Sequence, residues 1–335
     1  MAEYGIFLLK TVTILIAILA VVMMIASVSQ KQKSYQKGHI EIHRLNKRFN
    51  AYKSQLEDLF LSKAELKKAH KAEAKAKKQL EKSGADKDRE KIFVINFKGD
   101  MQAHAVESLR EEVTTILSSP EKPSEVILRL ESPGGAVHGY GLAASQLVRL
   151  RDQGIKLTVC VDKVAASGGY MMACVADKVL SAPFAIVGSI GVVSQLPNIN
   201  RLLKKHDIDV EMHTAGEFKR TLTVIGENTD EGRKKFKEEL NEIHRLFKGF
   251  VQTNRPVVDI DVVATGEFWL GQDALENKLV DEIKTSDQYL LEKSSSADLY
   301  EIKYKIKKSL ADKLGKSVTA GVQNSVENLV NRLPF

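Results

Sequence analysis

Cysteine is almost missing from this chain of 335 residues: there are two, Cys160 and Cys174, too few for a disulfide framework. Neither has the paired Cys or His neighbours of a zinc or iron-sulfur site, and both sit in apolar stretches, so they read as core residues and no metal site is expected. Tryptophan occurs once and aromatic residues amount to 6%, and none interleave with the basic run, which argues against the stacking platforms that hold single-stranded nucleic acid. No GxxxxGK[ST] phosphate loop appears, so ATP-driven chemistry is not indicated. A broadly spread excess of one charge is also lacking. The formal charge is +7, but residues 63–91 hold 11 basic and 6 acidic side chains, and the remainder is nearly neutral. Nucleic acid is therefore not an expected partner, and no cofactor is required by any motif.

Charge is absent altogether from residues 11–28, TVTILIAILAVVMMIASV. As a helix this run would rise roughly 27 Å, against a hydrocarbon core of about 30 Å. Residues 5–9 can lengthen it, with Lys10 reaching back to the headgroups. Residues 5–28 thus predict a transmembrane anchor; a cleaved signal peptide would begin with basic residues and carry a shorter apolar region, whereas Glu3 opens this chain. Lys31, Lys33, Lys37, Arg44, Lys47 and Arg48 follow the run and favour a cytoplasmic body, although a periplasmic one stays open. Residues 31–91 predict a charged helical linker in which Phe49, Tyr52, Leu56, Leu59 and Leu66 form a seam that fades into Ala, Lys and Glu. A solvated helix, a short coiled coil and contact with anionic lipid are all compatible with it.

After a turn at residues 83–86 the pattern changes to strands alternating with helices. Strands are predicted over 92–97 (IFVINF), 126–130 (VILRL) and 157–161 (LTVCV), with helices over 104–117 and 139–153 between them. That alternation implies crossover connections and a largely parallel sheet, an α/β fold. Further strands are expected over 179–181, 190–194 and 210–213, a short helix over 200–206, and a long helix from the N-cap Thr229 with Phe236, Leu240, Ile243, Leu246, Phe247 and Phe250 on one face. Residues 92–290 are read as one domain and 291–335 as a basic extension. That extension ends in an amphipathic helix bearing Leu310, Leu314, Val318, Val322, Val326 and Leu329.

Three glycine-rich places stand at predicted strand ends: Ser132-Pro133-Gly134-Gly135, Ala166-Ser167-Gly168-Gly169-Tyr170 and Gly188-Ser189-Ile190-Gly191. Ligands of open parallel sheets bind beyond the carboxyl ends of the strands, so the first two turns can line one crevice. Each alone reads as punctuation, and Ser167 alone as a helix cap. Together they offer what acyl transfer needs, a serine on a sharp turn with glycine N–H groups from two loops to hold an oxyanion. The serine needs a base. No histidine lies between Ser167 and Lys205; His138, just after the glycine pair, is one candidate. Lys219, in Gly216-Glu217-Phe218-Lys219-Arg220, is the other, provided an apolar pocket lowers its pKa from about 10.4 towards 7.

Taken in order, SPGG at 132–135, ASGGY at 166–170, GSIGV at 188–192, GEFKR at 216–220 and GQDALENKLVDEI at 271–283 resemble the signal-peptide-peptidase-A family of serine peptidases, most closely its SohB branch. The resemblance implies a Clp-protease-like or crotonase-like fold of β-β-α units, self-association into a homo-oligomer, and cleavage of peptides near a bacterial inner membrane. It implies Ser167 as nucleophile, Lys219 as general base, Ser189 as the hydroxyl that orients the lysine amine, and Gly135 and Gly168 as oxyanion donors. The chain carries one set of motifs with the lysine after the serine, as in the short members. Two other classes stay in view. A coenzyme-A-dependent hydratase on the same fold would use acidic residues at the cleft, and a non-catalytic membrane scaffold would keep the body without the dyad.

Overall fold

The computed structural model describes residues 38–68 and 89–306, with single positions at 6, 10, 13, 71, 72, 74 and 75. Apart from those positions, the expected anchor over 5–28 and the expected C-terminal helix lie outside the described residues. No described helix is long and apolar enough to cross a membrane. The chain divides into two compact units, Ile42–Lys303 and a second made of Met1–Glu41 with Tyr304–Phe335. Within the second unit, the Gly38 N–H donates to the Tyr304 hydroxyl at 2.8 Å and Lys305 pairs with Glu41 at 2.7 Å.

In chain order the elements are β1 (His39–Arg44), α1 (Leu45–Phe60), β2 (Glu90–Lys98), α2 (Val106–Leu117), β3 (Glu125–Glu131), α3 (Val137–Asp152), β4 (Lys156–Val161), β5 (Val164–Ala166) and α4 (Gly168–Ala173). They continue as β6 (Lys178–Ser181), β7 (Ile186–Gly188), α5 (Asn200–Lys205), α6 (Asp230–Asn254), α7 (Ile260–Val263), β8 (Phe268–Leu270), α8 (Gly271–Glu276), β9 (Glu282–Ile283), α9 (Ser286–Ser296) and β10 (Ala297–Lys305). The fold is mixed α/β. Seven strands form one sheet in the order β1-β10-β2-β3-β4-β6-β9, and β5, β7 and β8 form a small second sheet. From β10 across to β9 every pairing is parallel, as the β-α-β alternation in the sequence requires.

Both faces of the large sheet are covered, which is why its strands read as continuous apolar runs. On one face Ile92, Val94, Ile127, Cys160, Leu180 and Leu299 cluster with Leu45 of α1 and Tyr289 and Leu290 of α9. Alternation along β2 turns Phe97 the other way, where its ring meets Tyr140 of α3 edge-on at 6.3 Å. There α2 packs on α3, and α3 on α4. Of the apolar residues at helical spacing in α2, Val106, Leu109, Val113 and Ile116 are buried and Leu117 is half-buried. Burying each large apolar side chain of this kind contributes roughly 1.5–3 kcal/mol. Both cysteines are buried and free, and burial pushes the Cys174 thiol up to about 12.

The structure differs from the sequence expectations in four places. Residues 190–194 are not a strand: β7 stops at Gly188, where φ is +94° at Gly188 and +51° at Ser189, and the chain turns away. Residues 210–213 alternate in polarity but have no strand beside them and stay irregular and exposed. The linker helix is interrupted after Phe60, where the Ser62 N–H and hydroxyl bond the Glu65 carboxylate at 2.8 and 2.7 Å and residues 63–68 turn helical again; residues 39–44 before it form β1, and most of 69–88 lies outside the described residues. Its first part belongs to the compact unit, with Leu45 in the core, and residues 297–305 of the expected extension form β10.

A buried carboxylate ties β3, β4 and α9 together at the sheet end away from the glycine-rich turns. Glu125 is 2% exposed; it accepts from the Tyr289 hydroxyl at 2.8 Å and from the Thr158 hydroxyl, with the Lys293 and Lys156 ammonium groups at 3.3 and 3.8 Å. Burial, and then the hydrogen bond to Glu125, push the Tyr289 phenol above its ordinary pKa. Glu125→Ala should lower unfolding free energy in urea by about 3 kcal/mol, because it strands the buried Thr158 and Tyr289 hydroxyls. A loss below about 1 kcal/mol would show that this cluster carries no stability.

Candidate active site

Three loops meet where β3, β5 and β7 end. Beyond β3, Ser132 bridges in parallel to Ala165: its N–H donates to the Val164 carbonyl at 2.8 Å and its carbonyl accepts from the Ala166 N–H at 3.0 Å. The SPGG turn is thereby laid beside the strand that delivers Ser167. On the other side, β5 pairs in parallel with β7, and the Ser167 N–H donates to the Gly188 carbonyl at 2.7 Å. The GSIG turn is in turn held by the Ser189 N–H, which donates to the Glu267 carbonyl at 2.8 Å, and by the Ser189 hydroxyl, which reaches the Gly266 carbonyl at 3.3 Å.

Ser167 has φ +52° and ψ −117°, a conformation that a side chain rarely adopts. Strain of about 1–3 kcal/mol there persists only when the surroundings over-determine the turn. They do. Beyond the bond to Gly188, the Ser167 carbonyl accepts from the Met171 N–H at 3.0 Å, making Ser167 the residue from which α4 springs. Gly134, at φ +87°, lies against the turn so closely that a Cβ on it would stand 2.8 Å from the Ser167 Cβ and 2.9 Å from the Gly168 nitrogen. A Cβ on Gly168 would enter the Tyr140 ring, and one on Gly135 the Met101 carbonyl. The glycines are there because backbone passes where side chains would sit.

Behind this contact runs a buried hydrogen-bond relay. The Tyr140 hydroxyl donates to the Asp100 carbonyl at 2.9 Å, so the Ser132 hydroxyl, 2.6 Å away, donates to it, and Ser132 accepts the Gly134 N–H at 3.1 Å. Burial pushes the Tyr140 phenol above its ordinary pKa and keeps it a donor, against a smaller downward pull from Ser132. On the surface side, a hydrogen bond from the His104 imidazole, at 2.8 Å, holds the Asp100 carboxyl below its ordinary range.

The site residues read from the sequence divide into two groups. Ser167, Gly168, the Gly134-Gly135 turn and Ser189 are assembled into one place. Among the described residues, the N–H groups of Gly135 and Gly168 have no acceptor within the chain. Lys219 is not brought in. It lies in an irregular stretch after α5, exposed, its N–H donating to the Gly216 carbonyl at 3.2 Å, and it makes no hydrogen bond to Ser167 or Ser189 among the described residues. The expected apolar pocket around its amine is therefore not formed within this chain. His138, on the first turn of α3, is exposed and makes no hydrogen bond to Ser167 among the described residues. Sequence reasoning missed the Ser132–Tyr140 relay and the Glu267 anchor of the GSIG turn. The first joins residues eight apart across a loop and a helix start, and the second is a backbone contact with no side-chain signature.

Two family models match the chain: Peptidase family S49 N-terminal over residues 1–147 and Peptidase family S49 over residues 149–300. The chain is 54% identical to "Probable protease SohB" of Haemophilus influenzae over 98% of this chain and 95% of that one. It is 44% identical to "Putative protease SohB" of Buchnera aphidicola subsp. Baizongia pistaciae, over 99% of both. Among solved structures, a mutant of the 1510-N membrane-bound stomatin-specific protease in complex with a substrate peptide is similar at a TM-score of 0.42 and 12% identity, covering 69% of this chain and 99% of that one. The chain belongs to peptidase family S49, as a SohB-like member, and is a protease.

Gly134→Ala should disturb the Ser167 turn through the contacts above. The expected result is a loss of about 10²-fold in the rate at which a fluorophosphonate labels the protein. Gly141→Ala, on an open face of α3 with no atom within 4 Å of the new methyl, should label normally and melt no lower than the parent. Equal labelling of both variants would show that the contact does not set the turn.

Proposed function

We propose that the chain is a membrane-anchored serine endopeptidase that hydrolyses peptide bonds through a Ser-Lys dyad, acting on membrane-associated peptides or proteins at the bacterial inner membrane. The observation that carries this reading is the strained, fully braced turn at Ser167 between two glycine loops with unspent N–H groups. In the proposed chemistry the neutral Lys219 amine takes the proton of the Ser167 hydroxyl as its oxygen attacks the peptide carbonyl. The Gly135 and Gly168 N–H groups stabilise the oxyanion, and the lysine returns the proton to the leaving amine. An acyl-enzyme forms, and the same amine then activates water. Ser189 orients the amine. No cofactor enters the cycle.

For that chemistry Lys219 must lose water. Removal from water disfavours an ammonium charge and so frees a lysine amine to act as a base. The stretch that carries Lys219 also exposes Val193, Leu196, Ile199, Leu202, Ile208, Met212, Phe218, Val224 and Ile225. An apolar surface of that extent is what self-association would cover, and a homo-oligomer on the Clp-protease-like plan would dry the amine in the same step. The apolar run over residues 11–28 supports the anchor. The exposure of Lys219 in the single chain favours one competing reading, a non-catalytic scaffold built on the same body.

Fluorophosphonate labelling of the full-length protein in detergent separates the two. The parent should be labelled, Ser167→Ala should not, and Lys219→Ala should label at least about 10²-fold more slowly. His138→Ala should keep most of the rate. An unlabelled parent would favour the scaffold, and undiminished labelling of Lys219→Ala would remove the lysine from the mechanism.

A further inference from the structure

We infer that His244, in the middle of α6, is a positioning residue for the proposed reaction: its imidazole ties the GSIG turn to the long helix and so keeps that turn in register with Ser167. The inference rests on Ser167 being the nucleophile, as proposed above. The His244 Nε2 lies 3.2 Å from the Ile190 carbonyl oxygen. Because the partner is a carbonyl, Nε2 carries the proton and donates, in either the neutral or the charged ring. Among the described residues, no other group donates to that carbonyl.

The turn needs such a tie. It leaves β7 through two residues of positive φ, Gly188 and Ser189, and has no strand partner beyond Gly188. Its other hydrogen bonds all lie at its beginning: the Ser167 N–H on Gly188, and Ser189 on Glu267 and Gly266. No hydrogen bond in that set reaches Ile190 or Gly191, where the chain departs towards the irregular stretch that carries Lys219; the buried Ile190 side chain and the close approach of Gly191 to Gly266 hold this end by packing, and the backbone carbonyl is left to His244.

The helix that supplies it is well placed to do so. Phe247 and Val251, one and two turns further along α6, are buried, and α6 packs against α4, the helix that begins immediately after Ser167. One rigid element therefore touches both the helix that carries the nucleophile turn and the turn that accepts the Ser167 N–H. Slack at Ile190 would pass to Gly188 and Ser189, two and one residues away, and from Gly188 directly to the Ser167 backbone. Misplacement by about 1 Å at a reacting group can cost up to about 10² in rate.

Leucine, glutamine and asparagine at position 244 separate hydrogen bonding from packing. Glutamine can set an amide N–H near the place of Nε2, asparagine is too short to reach it, and leucine fills the volume without a donor. In full-length protein labelled with a fluorophosphonate over a range of probe concentrations, His244→Leu and His244→Asn should lower the maximal labelling rate about tenfold. The half-saturating probe concentration should change less than about twofold, and His244→Gln should recover to within about threefold of the parent. Melting temperatures identify any variant that has merely lost its fold, and the asparagine and glutamine pair, both polar, decides the matter if leucine is not tolerated. Parent-like rates in the leucine and asparagine variants, or equal slowing in glutamine and asparagine, would overturn the role of His244 while leaving the nucleophile intact. A parent that does not label, or a Ser167→Ala variant that labels like the parent, would instead remove the nucleophile and this inference with it.

Discussion

The site depends on one backbone conformation, that of Ser167 at φ +52° and ψ −117°. A free chain would relax it, since it costs about 1–3 kcal/mol. It stands because its N–H is fastened to Gly188 on one side, Gly134 lies against it on the other, and α4 begins from its carbonyl. Each of these groups is positioned by a strand that ends at the same edge. Parallel pairing is thus the reason the turn can be strained: β3 of the large sheet is bridged to β5 at Ser132 and Ala165, β5 pairs with β7 in the small sheet, and each glycine loop braces the next.

The glycines and the relay behind them express the same constraint. Gly134 and Gly168 leave room for backbone and for the Tyr140 ring, and the Tyr140–Ser132 hydrogen bond at 2.6 Å fixes the SPGG turn from beneath. A larger residue at either glycine would push on Ser167 directly. Far from the chemistry, the buried Glu125 cluster and the two-faced core keep the strands in register, so that a fold-level property, parallel pairing, is what aims a hydroxyl.

Much of this was legible in the sequence, and the limits of legibility have physical causes. Strands 92–97, 126–130 and 157–161 lie within β2, β3 and β4 because two-sided burial leaves uninterrupted apolar runs. The α2 seam and the Thr229 cap, whose hydroxyl accepts the Gly232 N–H at 3.0 Å, were local signals and were realised locally. Residues 190–194 and 210–213 carried strand-like composition but have no partner, and a strand exists only in a sheet. β10 joins β2 across a separation of about two hundred residues, and pairing of that kind leaves no mark in local periodicity. The glycine motifs announced where the turns were, yet not that Gly188 would accept from Ser167. The tie between His244 and Ile190 is likewise set only by tertiary packing.

Lys219 is where sequence and single-chain structure diverge most, exposed in a stretch rich in uncovered apolar side chains. The braced serine is intrinsic to the chain, while in the proposed mechanism the dry amine is a property of the assembly. The serine is the more fundamental of the two, and peptide mapping of the fluorophosphonate adduct by mass spectrometry addresses it most directly. A single adduct is predicted, on the tryptic peptide spanning residues 164–178, whose one serine is Ser167. An adduct on the peptide spanning residues 179–201, which carries Ser189, or on Ser132, would contradict the central place of Ser167.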